Sequence, residues 1–527
     1  MLRRASYVIG ITLACLSCGR DELRRDTPAA RGTTVVVALG GDPGQLNPAI
    51  TTGGGVHPVT DQIFNGLVGL DEQLRPVPEL AERWDVEDGG RRYRFHLRRG
   101  VTWHDGVPFT SADVVFSFEQ VLLRYHSRTR AGLGPALQGI SAPDDSTVVF
   151  EFRHPYAPLL LRLDVTEASI VPKHVYGDGQ DLLAHPANQR PVGTGPFVFT
   201  SYARGDRVVL SRNPRYFRPG LPGVDHVVFR ILASNATAAL ALESGDVDYS
   251  SSVPGPDVAR FKANPTLRVV QSTGGSGGSV CQEVLIPNLA RPPLNRLDVR
   301  RAIYHAVDLG FIAERVYFSQ GQAATGPISS RHAWAYTAPG RHYAHDTARA
   351  AALLDAAGLR RQADGTRPIS LSFVHAANQV RLADVLRDQL RAVGITLRLE
   401  PLDFNAAVDR VFVKKDFDLG FASFCNGADP DIGVRRVYSS SNIGPIPFSN
   451  GAGYRNPVVD SLFDAGSATL DLEARRQTYA RIQEILAEDL PYFWLFDSAG
   501  YRAWRATFTG FRPWSGAFLE AVRPVEP

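Results

Sequence analysis

Between residues 369 and 399 the hydrophobic period of the chain changes twice, and this restricts the fold more than any other stretch. Ile369, Leu371 and Phe373 alternate with polar neighbours as a strand does; Leu382, Val385, Leu386 and Leu390 fall on one helical face; Ile395, Leu397 and Leu399 alternate again. Gly394 gives a tight turn between the helix and the second strand, so the unit reads as a crossover in a partly parallel sheet. An α/β class follows. Residues 33–38, 92–97, 148–152 and 208–210 read as further strands, and residues 61–66, 111–123 and 475–486 as helices. No fixed-period repeat is present, which excludes a solenoid or a propeller.

The chain has 527 residues, enough for about three domains. It carries 57 Lys and Arg against 54 Asp and Glu, a formal net charge of +3, too small a field for a nucleic-acid or anionic-membrane binder.

Arg3 and Arg4 precede an apolar run from Ala5 to Leu16, a charged region followed by a hydrophobic one of signal-peptide length. No other run approaches the ~18 apolar residues of a membrane span. The run ends in Cys15-Leu16-Ser17-Cys18-Gly19, which resembles a bacterial lipoprotein box. Residues 1–18 are therefore expected to be a signal peptide with Cys18 lipidated, Cys15 being a rival site, and the polar residues 19–32 a tether. The remaining cysteines, Cys281 and Cys425, can form one disulfide outside the cytoplasm or stay as two buried thiols.

Signs of catalysis are weak. Gly274-Gly275-Ser276-Gly277-Gly278 spells a nucleophile elbow, but an elbow needs a helix after its serine, and Val280 to Leu285 reads as a strand. A flexible hinge is the better reading. Trp103-His104-Asp105-Gly106 sets a possible base beside an acid, yet neighbouring side chains point apart and Asp-Gly is a turn. Zinc-ligand spacings and a phosphate-binding loop are absent from the sequence, so neither metal nor cofactor is expected.

Several blocks nevertheless occur in order along the chain: Ile63-Phe64-Asn65-Gly66-Leu67, Pro76 to Trp84, Tyr93 to Gly106, Phe109 to Ser117, Val192 to Phe197, Arg212 to Phe217, Glu243 to Asp248, Asp298 to Ile303, Ala306-Val307-Asp308, Tyr479 to Gln483 and Glu488 to Pro491. Together they resemble the extracytoplasmic solute-binding proteins of ABC importers, in the family (solute-binding protein family 5) that takes oligopeptides, dipeptides and nickel.

That resemblance implies a periplasmic-binding-protein type II fold, two lobes joined by a hinge, with three domains. Domain I would comprise 33–66, 192–278 and 491–527, domain II 67–191 and domain III 279–490. It implies a monomer that is not an enzyme, lies in the periplasm or on the outer face of the cell membrane, and hands a solute, here expected to be a peptide, to the membrane permease. A nickel chelate, haem or a saccharide is the alternative cargo, and a secreted hydrolase using Ser276 is the rival from another class. By position Gly54, Gly55 and Val56 resemble one cleft-lining segment, and Phe424, Cys425, Asn426, Asp429 and Asp431 lie in the other. Asn426 stands where peptide-binding relatives carry an Asp that pairs with the peptide ammonium. An amide cannot supply that charge, which leaves Asp429 or Asp431 as substitutes, unless Asp429-Pro430-Asp431 is only a turn and helix cap. Arg435 and Arg436 meet a ligand carboxylate or, as expected, lie on the surface.

Overall fold

The computed structural model describes residues 33–51, 55–232, 234–272, 280–340 and 342–526. The signal and tether expected over 1–32, Gly54 and the glycine-rich segment with Ser276 lie outside the described residues.

The crossover unit folds as its periodicity predicts. Strand Ser370–Ala376, helix Val380–Ala392 and strand Thr396–Leu402 follow one another, and the two strands pair in parallel with Leu371 opposite Leu397 and Phe373 opposite Leu399. Leu382, Leu386 and Leu390 are fully buried on the sheet, each contributing about 1.5–3 kcal/mol. Gly394 turns the chain at φ 87°, a conformation that suits glycine, and its carbonyl accepts from the Arg367 amide.

Three larger sheets organise the chain. A six-stranded sheet runs in the order Gly321–Ala323, Phe493–Ser498, Val280–Pro287, Leu419–Asn426, Ser370–Ala376, Thr396–Leu402. A seven-stranded sheet runs Leu267–Gln271, Tyr501–Arg505, Tyr249–Ser250, Thr34–Leu39, His226–Ile231, Arg207–Arg212, Phe197–Ala203. A four-stranded antiparallel sheet holds Ala81–Glu87, Arg92–Leu97, Thr147–Phe152 and Leu137–Asp144. One large apolar core lies under the six-stranded sheet, and a second is shared by the other two sheets.

Strand Phe493–Ser498 belongs to the six-stranded sheet, so the chain returns to the seven-stranded sheet only at Tyr501, later than the boundary expected between 490 and 491. The helix expected over 61–66 is also displaced. It occupies His57–Thr60, with Pro58 in its first turn, where a proline's missing amide costs nothing. At Gly66 the chain passes so close to the backbone of Leu163 to Val165 that a side chain would strike it. The helix expected over 111–123 runs from Ser111 to Tyr125 with a π-wound middle, Ser117–Leu122, and opens on a reciprocal cap between Thr110 and Asp113. The helix expected over 475–486 spans Leu472–Asp489, with Asp471 as its cap.

Candidate functional site

Strand Leu419–Asn426 carries the expected second cleft segment to the junction of the two cores. Along its whole length it pairs with Val280–Pro287, but with Ser370–Ala376 it pairs only at Leu419 and Gly420. Its outer edge from Phe421 onward is therefore taken by no described strand. Cys425 stands opposite Cys281 with Cα atoms 3.9 Å apart, and a disulfide joins them. So close an approach marks a pair that does not exchange main-chain hydrogen bonds, which turns the amides and carbonyls of Cys425 and Ser423 toward the open edge.

The loop after this strand is held from inside. Gly427 donates to the Ile432 carbonyl at 2.7 Å, and Trp334 Nε1 donates to the Ala428 carbonyl at 3.1 Å. The Asp429 side chain is fully buried against Arg475 at 2.7 Å, whose guanidinium lies 4.9 Å from the Trp334 ring centre. Asp431 meets Arg162 at 3.0 Å and Arg435 at 3.3 Å, and accepts from the Tyr156 hydroxyl at 3.0 Å. Burial raises the Asp431 carboxyl, but the Arg162 and Arg435 guanidinium groups and the hydrogen bonds from Arg162 and Tyr156 together outweigh it and hold the group below the ordinary carboxylate value. Neither acid is a vacant partner for a ligand ammonium. Arg435 is likewise paired, and Arg436 is directed inward with its Nε buried, contrary to the expected surface position.

The other expected residues divide. Asn426 is buried with no hydrogen-bond partner for its Oδ1 among the described residues, and Gly433 packs so closely that a side chain there would meet that oxygen. Phe424 turns into the core against Phe412 and Tyr492, so only its main chain faces the edge. Gly55 is exposed, whereas Val56 is buried and its carbonyl accepts from the amides of Val59 and Thr60. Next to it His57 Nδ1 lies 3.0 Å from Asp61, which accepts from Thr166 at 2.9 Å. Burial pulls the His57 imidazole down, but the Asp61 carboxylate more than offsets this and raises it above its usual value.

Between the two cores lies a cavity of about 360 Å³ lined by Arg128, Tyr156, Arg162, Gly433 and Arg436, among others. Sequence reasoning missed Arg128, Tyr156, Arg162 and Arg475. One signal was there: Arg162 is the lone charge in Pro158-Leu159-Leu160-Leu161-Arg162-Leu163. The His104-Asp105 pair has separate structural partners, His104 bonding Gly195 O at 3.0 Å and Asp105 meeting His174 at 2.8 Å. Among the described residues no group of three His, Cys, Asp or Glu is placed to hold a metal ion, and no helix is long and apolar enough to cross a membrane.

Residues 75–445 match the family described as bacterial extracellular solute-binding proteins, family 5 Middle. A probable D,D-dipeptide-binding periplasmic protein of Escherichia coli is 29% identical, over 90% of this chain and 91% of its own. Protein XP55 of Streptomyces lividans is 30% identical over 94% and 89%. Among solved structures, the ABC transporter-associated periplasmic binding protein DppA of Helicobacter pylori, in complex with the peptide STSA, superposes with a TM-score of 0.80 at 25% identity, covering 94% of this chain and 98% of that one.

Proposed function

This chain belongs to family 5 of the bacterial extracellular solute-binding proteins, as the solute-binding component of an ABC import system, and from that premise we propose that its cargo is a peptide. The observation that carries this reading is the open edge of strand Leu419–Asn426. An extended ligand can add there as a further strand, taking affinity from main-chain groups of Ser423 and Cys425 and leaving its side chains to the cavity. The Helicobacter relative bound to a peptide supports it. Asn426 and the segment 54–56 would touch the ligand, while Asp429 and Asp431 position the loop through their arginines.

The mechanism is closure without catalysis. Domains I, II and III would divide as the family suggests, with the last crossing moved to residues 499–500 because Phe493–Ser498 lies in the six-stranded sheet. Closure brings the two cores together over the ligand and expels water, and the Arg162–Asp431 pair fastens the closed form. The protein would act as a monomer tethered through Cys18 and residues 19–32, delivering its load to the permease.

Native mass spectrometry of the chain without residues 1–18, before and after refolding, tests the cargo. A series of peptide masses lost on refolding is the expected result. A single non-peptide mass would reassign the cargo to a chelate, haem or a saccharide.

A further inference from the structure

Four arginines line the cavity between the cores, and three have carboxylate partners: Arg128 with Glu167 at 3.1 Å, Arg162 and Arg435 with Asp431. Arg436 has none among the described residues. Helix Val434–Tyr438 turns its side chain back under the open strand edge, where Nη2 lies 3.5 Å from the Cys425 carbonyl and Nε is buried without a partner. The residue is partly buried at the cavity wall, with Arg128 as a neighbour of like charge and Glu167, which Arg128 already pairs, as the opposing one. A partly desolvated guanidinium without an ion-pair partner of its own is costly, and an anion entering the cavity would relieve that cost.

We propose that Arg436 receives a carboxylate of the cargo, so that this protein selects its ligand by an acidic group and not by a free ammonium. The assignment rests on the solute-binding reading above and names the chemistry of its ligand. Three observations converge. The guanidinium borders the main-chain groups to which an extended ligand would add, so a carboxylate at that point could take a paired, charge-assisted bond from it. Asn426 brings no negative charge to the same strand end, and its free Oδ1 suits a neutral N–H donor. Asp429 and Asp431, the remaining acids of the loop, are already paired with Arg475, Arg162 and Arg435. The carboxylate could be a peptide C-terminus or belong to a non-peptide organic acid.

The test is calorimetric titration of refolded, ligand-free protein with N-acetyl-trialanine as the free acid, with its C-terminal amide, and with a panel of sugar acids and other non-peptide carboxylic acids. The acid should bind at least tenfold more tightly than the amide. Arg436→Met should abolish that difference and Arg436→Lys restore part of it. Without ligand, Arg436→Met should melt no lower than the parent protein, because a partly buried charge without an ion-pair partner has gone; a structural role would lower it. Equal binding of acid and amide overturns the assignment and leaves the peptide cargo standing. Binding of non-peptide acids alone, dependent on Arg436, upholds the assignment and overturns the peptide cargo. Failure of every carboxylate overturns the assignment and leaves the cargo to the masses that the protein carries, and a free-acid preference that survives in Arg436→Met overturns the role of this residue.

Discussion

Arg162 and Asp431 are 269 residues apart in the chain and meet at 3.0 Å, with side chains only 5% and 3% exposed. Arg162 ends the short helix Ala157–Arg162 in one core, and Asp431 follows a strand of the other. The same guanidinium also donates to the Asp431 carbonyl at 2.9 Å. Removing Arg162 leaves Asp431 with Arg435 alone, at 3.3 Å, so the cost in the closed form stays below the about 3–5 kcal/mol of a buried charge stripped of every partner. Opening the cleft lets water reach Asp431 and avoids that cost. Arg162→Met should therefore enlarge the radius of gyration of ligand-bound protein in small-angle X-ray scattering and weaken ligand retention. Unchanged scattering and melting would show that the pair does not fasten the closed form.

Asn426 is the next lever. Its Oδ1 is buried without a partner, so a carboxylate at the same place would find no donor in the ligand-free protein. Asn426→Asp should lower the melting temperature of the empty protein. It should also strengthen binding of peptides with a free N-terminus about tenfold, since a charged hydrogen bond replaces a neutral one, and leave acetylated peptides unaffected. If both peptide types respond alike, Asn426 does not face the ligand's amino end.

The crossover unit could be read from the sequence because its two periods record which side of each element is buried. Leu371, Phe373, Leu386 and Leu390 occupy the interior that their spacing predicts. Strand Phe493–Ser498 is apolar on both faces, as central strands are, and nothing local in Phe493-Trp494-Leu495-Phe496 states which sheet it joins; the expected boundary at 490 therefore fell short. The seven-stranded sheet draws strands from residues 34 to 505, an assembly that no local pattern encodes. At the candidate site the loop Phe424 to Asp431 was found by position, but its pairings were not. Arg435 and Arg436 are adjacent on a helix and so point about 100° apart, one toward Asp431 and one toward the Cys425 carbonyl. A pair of neighbouring arginines looks the same in sequence whether one, both or neither turns inward.

The Cys281–Cys425 disulfide closes a loop with a sequence separation of 144 and ties the end of the open-edged strand to its neighbour. Restricting so long a loop in the unfolded chain is worth up to about 5 kcal/mol in the chain-entropy model. Cys281→Ser with Cys425→Ser should lower the melting temperature by several degrees, and reduction of the parent protein should do the same. Ligand affinity should fall too, because Cys425 carries main-chain groups at the open edge. Unaltered affinity in a destabilised double variant would place the ligand elsewhere.

Glu283 makes stability depend on pH. It lies on the strand Val280–Pro287, accepts from Ser498 Oγ at 3.0 Å, has a second buried oxygen without a partner, and has Tyr317 and Ser423 as its other polar neighbours. Burial pushes its carboxyl up to about 7, and the hydrogen bonds from Ser498 and Ser423 offset only part of this. The folded protein therefore holds this proton more tightly than the unfolded chain, whose carboxyl titrates near its ordinary value of 4.5. Below that value both states are protonated and the group leaves stability unchanged. As the pH rises from there through about 7 the unfolded state alone releases the proton, and stability falls by about 1.4 kcal/mol per unit until the folded carboxyl ionises as well. Glu283→Gln, which keeps the shape and removes the charge, should match the parent protein at pH 4 and exceed it by about 3 kcal/mol at pH 8 in urea denaturation. A constant difference across that range would mean that the folded carboxyl titrates as it does in the unfolded chain and that Glu283 sets no pH dependence.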